Sequence, residues 1–377
     1  MAPVEEGGAV VLPLVLHVLP ADLARGAQVF AGALRDELDG VRHHHRMLTL
    51  FASPPAQLRP DVELAVGDGW WRHHGLHPGA VVGLRRALRR LSPDVVVAHG
   101  GEALQYAVVA TRRSVPLIYK KTGMASPGAK RAPLRELYRL LARRAAVTIV
   151  VSEETAQEAC ELLGLPASRV VLAPNGRSPQ RYVPSPGGPV RVPPRLVFVG
   201  RLTPTKGPQR FLDLVERLRE EGIEVEGLVV GDGPLADLLA ARAGPLGVEL
   251  LGRREDVAEV LRGADLLVFP GDPEGEGMPG VLIEAGLVGL PVVSTDVSGA
   301  TTVIEHGVTG SVVPAGDQEA LVQAVAELVG DPDRRARMGA AARTRCLEHF
   351  TLAASAARWS EVLDDVLARR GVRSAGA

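Results

Sequence analysis

The sequence predicts an α/β protein of two domains, each a parallel sheet flanked by helices. Three observations carry this expectation. Short apolar runs alternate with helical patterns along nearly the whole chain, and such alternation implies right-handed crossovers between parallel strands. The alternation is broken once, by PSPGGPVRVPP at residues 184–194, too rich in proline and glycine for a helix or a central strand. At 377 residues the chain also exceeds what one small hydrophobic core organises.

In the first half, residues 10–19 read as a strand, 20–26 as a loop and 27–38 as a helix. Arg25 and Gly26 lie where the turn meets the helix. That place suits a ligand at a strand's carboxyl end, and equally a glycine that only permits the turn. Residues 94–98 form a strand ending in His99, residues 116–119 one ending in Lys120 and Lys121, and residues 147–151 one ending in Ser152, a natural N-cap for the next helix. Ligands of such sheets bind outside the carboxyl edge, so His99, Lys120 and Lys121 are expected to line one cleft. For His99, burial with the ring satisfied by backbone explains the residue as well.

Two clusters of histidine stand apart from the strands. His43, His44 and His45 suit a solvated loop better than a metal centre, which needs converging ligands. Trp70, Trp71, His73, His74 and His77 offer a surface on which a sugar or aromatic acceptor could stack, or a loop packed on the core. Arg85, Arg86, Arg89 and Arg90 recur at helical spacing beside leucine and valine, as do Arg135, Arg139, Arg143 and Arg144. Basic amphipathic helices of this kind lie on anionic membranes or present a solvated face, so weak peripheral membrane contact is one expected partnership.

Composition excludes several classes. A formal net charge of −1 is wrong for a nucleic-acid binder. The two cysteines, Cys160 and Cys346, have no metal spacing, and a reducing cytoplasm is the expected compartment. The apolar run 9–19 contains Pro13 and His17, lacks a basic leader, and is too short to cross a bilayer. Only four lysines, at 120, 121, 130 and 206, accompany 39 arginines. A lysine here hints at a place where a compact ammonium is wanted and a planar fork does not fit.

The alternation restarts after the linker. Residues 195–199 form a strand ending in Gly200-Arg201-Leu202, with Lys206-Gly207 in the loop and a helix from about 209 to 220. Residues 225–230 lead into Gly231-Asp232-Gly233-Pro234, and strands follow at 264–269, 291–294 and 310–313. Helices after Asp317 and Asp331 complete the domain, the Asp331-Pro332-Asp333 triplet being a helix start and not a metal motif. The last helix, about 352–369, is placed to cross back to the first domain.

The second half is organised around FPGDPEGEGMPGVLIEAGLVGLPVVST, residues 269–295. A buried strand empties into glycines, and a helix over 281–288 begins with Pro279 and Gly280 in its first turn. Its free amides face the strand's carboxyl end and suit an anionic ligand, with Gly277 and Gly280 removing side chains that would hold the ligand off the backbone. Glu276 and Glu284 flank the site; they suit the hydroxyls of a sugar or ribose, or else favour the helix N-terminus electrostatically. Arg201 and Lys206 would bring two cations to the same amides, a combination that can hold a pyrophosphate without metal and stabilise a leaving diphosphate, or else they are a pair of surface cations.

Together these residues carry a resemblance. Gly200-Arg201-Leu202 with Lys206-Gly207, Gly231-Asp232-Gly233-Pro234, Glu276-Gly277-Met278-Pro279 through Glu284-Ala285, Gly289-Leu290-Pro291-Val292-Val293 and His306-Gly307-Val308-Thr309-Gly310 resemble the family 4 retaining glycosyltransferases of GT-B fold. Glu276 and Glu284 match that family's Glu-x7-Glu motif. The first half is similar more loosely, through Leu16-His17-Val18-Leu19, Arg25-Gly26-Ala27, Val151-Ser152-Glu153 and Pro174-Asn175-Gly176.

The resemblance implies two Rossmann-like domains facing each other across a cleft, with the C-terminal helix returning to the N-terminal domain. Residues 1–188 would form the acceptor domain, with 356–371 packing back on it, and residues 189–355 the donor domain. It implies a nucleoside-diphosphate sugar as donor, an unidentified acceptor hydroxyl, retention of configuration, and no cofactor or metal. Arg201 and Lys206 would hold the diphosphate, Glu284 the ribose, and Glu276 with the amides of Gly277, Met278, Pro279, Gly280 and Val281 the transferred sugar; Gly26, Gly200 and Gly231 would line the donor site. Proline has no amide hydrogen, so Pro279 contributes shape alone. Two positions depart from the family pattern: Thr122 stands where many relatives carry a histidine, and Thr302 where many carry a glutamate. A nucleotide-sugar 2-epimerase and a non-catalytic nucleotide-sugar-binding partner subunit are the alternative functions.

Overall fold

The computed structural model describes residues 12–21, 26–52, 59–66, 76–185 and 191–371. Arg25, the cluster Trp70, Trp71, His73 and His74, and the boundary at residue 188 lie outside these residues.

Two all-parallel sheets form. The first comprises β1 (Leu14–Ala21), β2 (His44–Phe51), β3 (Val62–Val66), β4 (Val95–His99), β5 (Leu117–Lys121), β6 (Val147–Val150) and β7 (Val170–Leu172), in the order β3-β2-β1-β4-β5-β6-β7. The second comprises β8 (Arg195–Val199), β9 (Glu226–Val230), β10 (Val248–Gly252), β11 (Leu266–Phe269), β12 (Val292–Thr295) and β13 (Gly310–Val313), in the order β10-β9-β8-β11-β12-β13. Helices cover both faces, which is why β4 up to His99 and all of β11 are apolar without alternation, and both strands are buried throughout. In each sheet the strand order reverses beside the first strand, between β1 and β4 and between β8 and β11. Such switch points open a crevice at the carboxyl ends of the strands, where ligands of open α/β sheets bind.

The final helix, Leu352–Ala368, packs on the first sheet although its sequence neighbours belong to the second. Its Trp359 is fully buried in a core with Val15, Phe30, Val95 and Val97. The chain crosses between the domains at two adjacent segments. The Arg177 amide donates to the Phe350 carbonyl at 2.9 Å, and the Leu352 amide donates to the Arg177 carbonyl at 2.8 Å. Gly176 has no room for a side chain there, because a Cβ would run into the Thr351 backbone.

Helix starts follow local chemistry. Ser152 caps Glu153–Glu161 by accepting from the Thr155 amide, and Asp331 caps Pro332–His349 by accepting from the Arg334 amide at 2.8 Å. The histidine run departs from expectation: His43 and His45 are fully buried and only His44 is exposed. His44 and His45 open β2, whose alternation turns them to opposite faces, while His43 reaches Asp364 of the final helix at 3.0 Å.

Candidate active site

The crevice of the second sheet forms the floor of a cavity of about 770 Å³ between the two domains, within the range that accommodates small-molecule ligands. Gly280–Val288 starts at its centre. Apart from Glu284 that helix is apolar on all sides and buried almost throughout, so its packing fixes where the first turn points. Pro279 is the N-cap and no side chain caps the helix, leaving the first amides to an anion.

Arg201 follows β8, and its side chain has no partner among the described residues. Lys206 ends the 3-10 turn Pro204–Lys206. Gly207 after it has φ 72°, and a Cβ there would collide with the Pro270 carbonyl, so the turn closes tightly onto the segment leaving β11. The Lys206 ammonium forms an ion pair with Glu276 and sits 5.6 Å from the Phe269 ring centroid. Burial, with Arg201 next, pushes this lysine down to about 8, while the neighbouring carboxylate works in the opposite direction.

Gly26, Gly200, Arg201, Lys206, Gly231, Glu276, Gly277, Met278, Pro279, Gly280, Val281 and Glu284 all line the cavity. The physical reason for two glycines differs from expectation. A Cβ at Gly277 would strike the backbone of Thr122 and Gly123 from the other domain, and one at Gly280 would strike the Arg177 guanidinium. Both spaces are filled by protein. Gly231, at φ 143°, lets its loop close against the Gly200 carbonyl.

His99, Lys120 and Lys121 do not line the cavity, which corrects the expectation for these three. Lys120 and Lys121 belong to β5 itself, and helices bury both of its faces. Lys120 donates to Asn175 Oδ1 at 2.8 Å, its Nζ lying 3.7 Å from the Phe30 ring centroid; burial, then Arg177, pushes it well below the ordinary lysine range. Lys121 pairs with Glu158 at 2.5 Å. His99 is buried against Trp359, and its Nε2 lies 2.9 Å from His17 Nδ1, whose own Nε2 lies 2.9 Å from His45 Nδ1.

The sequence reading missed Arg177, Asn175 and Gly123, which line the same cavity from the other side. Arg177 donates from Nε to Glu284 Oε1 at 2.7 Å. Its signal was present: the residue follows Pro174-Asn175-Gly176 just beyond β7, at the carboxyl edge of the first sheet. Thr122 also lines the cavity, whereas Thr302 lies on the short helix Ala300–Val303 outside it.

Contacts across the cleft cluster near Glu276. The Met124 amide donates to the Glu276 carbonyl at 3.2 Å, Ser152 and Ser298 hydroxyls lie 3.1 Å apart, and Glu154 accepts from the Gly299 amide at 3.1 Å and from the Thr301 hydroxyl at 3.0 Å. Lys130 reaches Glu274 at 3.3 Å. Beside this edge, the helix Leu134–Arg143 exposes Leu134, Leu137 and Leu140. Pro78–Leu91, by contrast, points Arg85, Arg86, Arg89 and Arg90 outward and buries Ala80, Leu84 and Ala87. No described helix is long and apolar enough to cross a membrane, and no group of three metal-binding side chains occurs among the described residues.

Known proteins share this arrangement. The family described as Glycosyltransferase Family 4 matches residues 24–181, and that described as Glycosyl transferases group 1 matches residues 193–331. A GDP-mannose-dependent alpha-(1-6)-phosphatidylinositol monomannoside mannosyltransferase of Mycolicibacterium smegmatis is 30% identical over 64% of this chain and 67% of its own length. A D-inositol 3-phosphate glycosyltransferase of Thermobispora bispora is 33% identical over 57% of this chain, which spans about half (54%) of that relative. Among solved structures, Anabaena HepE in complex with UDP and glucose superposes with a TM-score of 0.77 at 20% identity, over 93% of this chain and 98% of that one. Sucrose-phosphate synthase from Thermosynechococcus elongatus gives 0.81 at 17% identity, over 95% and 100%. At these identities the structural likeness establishes the fold, and the sequence matches establish the kinship. The chain is a glycosyltransferase and belongs to family 4, with the GT-B fold.

Proposed function

We propose that this enzyme transfers a hexose from a nucleoside-diphosphate sugar to an acceptor hydroxyl with retention of anomeric configuration. The observation that carries the reading is the convergence of Arg201 and Lys206 on the uncapped amide end of Gly280–Val288, with Glu276 and Glu284 on either side. In the reaction the bond from C1 of the sugar to the diphosphate oxygen breaks, and the acceptor oxygen bonds to C1 on the same face. The acceptor proton passes to the leaving phosphate oxygen. Arg201, Lys206 and the helix amides stabilise the charge that develops on the leaving group, so the chemistry asks for neither metal nor cofactor. Glu276 holds the sugar and Glu284 the ribose.

The name of one relative and the structural neighbour, also solved in complex with UDP-glucose, supply a first donor panel: GDP-mannose and UDP-glucose. A thermal-shift screen should single out one nucleotide sugar, because a ligand of the native state stabilises in proportion to the logarithm of its concentration over Kd. Acceptor-dependent release of nucleoside diphosphate should follow with that donor and persist in EDTA. Loss in EDTA with recovery in Mg²⁺ or Mn²⁺ would refute the metal-free reading, and release of a C2-epimerised sugar would replace transfer by epimerisation.

A lipid-borne acceptor fits one further feature. Leu134 (38% exposed), Leu137 (43%) and Leu140 (66%) form an apolar stripe flanked by Arg131 and Arg135, close to the cleft edge. Such a face suits shallow insertion into an anionic bilayer. Co-sedimentation with phosphatidylglycerol vesicles, weakened by L137E/L140E, tests it; equal sedimentation of both proteins would reject this face.

A further inference from the structure

Glu284 is held by the segment that joins the two domains. Arg177 Nε donates to its Oε1 at 2.7 Å, and both side chains are 15% exposed. Tyr182 lies near the same carboxylate: burial, with Glu284 next, pushes its phenol above its ordinary range. Arg177 is itself fixed. Its amide and carbonyl are both bonded to the crossing segment at Phe350 and Leu352, its Nη1 donates to the Gly176 carbonyl at 3.1 Å, and its guanidinium fills the space left by the missing side chain of Gly280.

An ionised carboxylate offers about four lone-pair directions. With one oxygen engaged by the arginine, the rotation of the Glu284 carboxylate is set, and its remaining acceptor directions are free for ligand hydroxyls in the cavity that both residues line. A cation at a helix N-terminus is electrostatically misplaced, so the position of Arg177 near Gly280 follows from its partner. Its positive charge also offsets a carboxylate that would otherwise repel the incoming diphosphate.

We propose that Arg177 is a positioning residue for donor recognition: it orients Glu284 so that the cleft selects the ribose hydroxyls, and it does so from the interdomain segment. This rests on the assignment of Glu284 to the ribose. The nucleoside is thereby read by both domains, one supplying the carboxylate and the other its orientation.

The experiment compares affinity for uridine diphosphate and 2′,3′-dideoxyuridine diphosphate by calorimetry, or the guanosine pair where the wild type binds that base. The wild type should prefer the ribose form about tenfold or more, the value of a charged hydrogen bond. R177A should reduce the preference to about threefold or less. Uncompensated charge on Glu284 repels both probes alike, so the ratio isolates the hydroxyl contact. R177K, which keeps the charge and loses the fork, should bind the dideoxy probe nearly as the wild type does yet lose most of the preference, and it decides the matter if R177A fails to fold. In an E284Q background, R177A should change the ratio no further. An unaltered ratio in both Arg177 variants would overturn the inference. A wild-type ratio near one would overturn the ribose role of Glu284 first, and the inference with it.

Discussion

Lys206 and Glu276 form an ion pair on the floor of the cleft although they come from different loops, one after β8 and one after β11. The pair is a competitor as well as a contact. On the proposed reading, a diphosphate arriving at the amides of Gly280–Val288 would take over the ammonium and release Glu276 toward the sugar. The pair would then hold the site in register before the donor binds, while subtracting from diphosphate affinity.

Variants separate the two effects. K206A should weaken nucleoside diphosphate binding by about 1.5–3 kcal/mol, roughly 10- to 100-fold, because a charge-assisted contact is lost. E276A should leave that affinity intact or raise it a few-fold, while lowering kcat by about 100-fold through a contact that strengthens only at the reacting ring. Calorimetry with nucleoside diphosphate, paired with steady-state kinetics, checks both. If E276A loses diphosphate affinity as badly as K206A, the competition does not exist.

The same pair makes a pH prediction. Burial, with Arg201 next, pushes Lys206 down to about 8, and the Glu276 carboxylate paired with it favours the ammonium. Diphosphate binding favours the ammonium, so affinity is full below the lysine's value in the free enzyme and falls as pH rises through it. In the wild type the fall should centre near about 8; in E276Q, without the carboxylate that favours the ammonium, it should come earlier. Titration of the nucleoside itself affects both proteins equally, so the displacement between their affinity profiles is the measurement. Coincident profiles would show that Glu276 does not act on Lys206.

Much of this site was legible in the sequence because it is local. Each half is built from strand-to-helix turns, and Gly200-Arg201, Lys206-Gly207 and Glu276 through Glu284 keep their chemistry within a few residues of a strand end. What was not legible depends on registry and on distant segments. Lys120 and Lys121 look like loop residues after an apolar run, yet β5 extends through them and two helix layers bury them. The ion pair of Arg177 with Glu284 joins residues 107 apart, and no spacing rule connects them. Gly277 and Gly280 were correctly placed in the cavity, but the bodies filling their missing side chains, Gly123 and Arg177, belong to the other domain.

The buried histidines predict acid sensitivity. His17, His45 and His99 are held below their ordinary range, His45 to about 4, burial being the largest cause in each case. They are neutral in the native state, whereas the unfolded chain takes up protons below about 6.5. Their contribution to stability is therefore full above about 6.5 and is lost as pH falls toward the native values. For His45 alone the loss is about 3 kcal/mol over that span, at about 1.4 kcal/mol per unit. Denaturant unfolding of wild type and H45Q at several pH values measures it. H45Q should lose stability less steeply between about pH 6.5 and 5, and parallel slopes would remove the histidine from the account.

The two domains meet backbone to backbone at Gly277. Gly277 opposes the backbone of Thr122 and Gly123, and neither can move aside as a long side chain does. Around it the Gly277 carbonyl accepts from the Ser298 hydroxyl at 3.2 Å and the Glu276 carbonyl from the Met124 amide at 3.2 Å, so the contact fixes Glu276, the residue proposed to face the sugar. A methyl group here must part the domains or displace Glu276. Each domain keeps its own core, so G277A should fold with unchanged far-ultraviolet circular dichroism. Its kcat should fall about 10- to 100-fold, the scale of a 1 Å misplacement at a reacting centre, while Arg201 and Lys206, carried by the same domain as the helix amides, keep diphosphate affinity near the wild-type value. Small-angle scattering should give a larger radius of gyration for G277A than for the wild type, with the difference persisting in saturating nucleoside diphosphate. Identical scattering and kcat for the two proteins would mean that the contact at Gly277 does not govern closure.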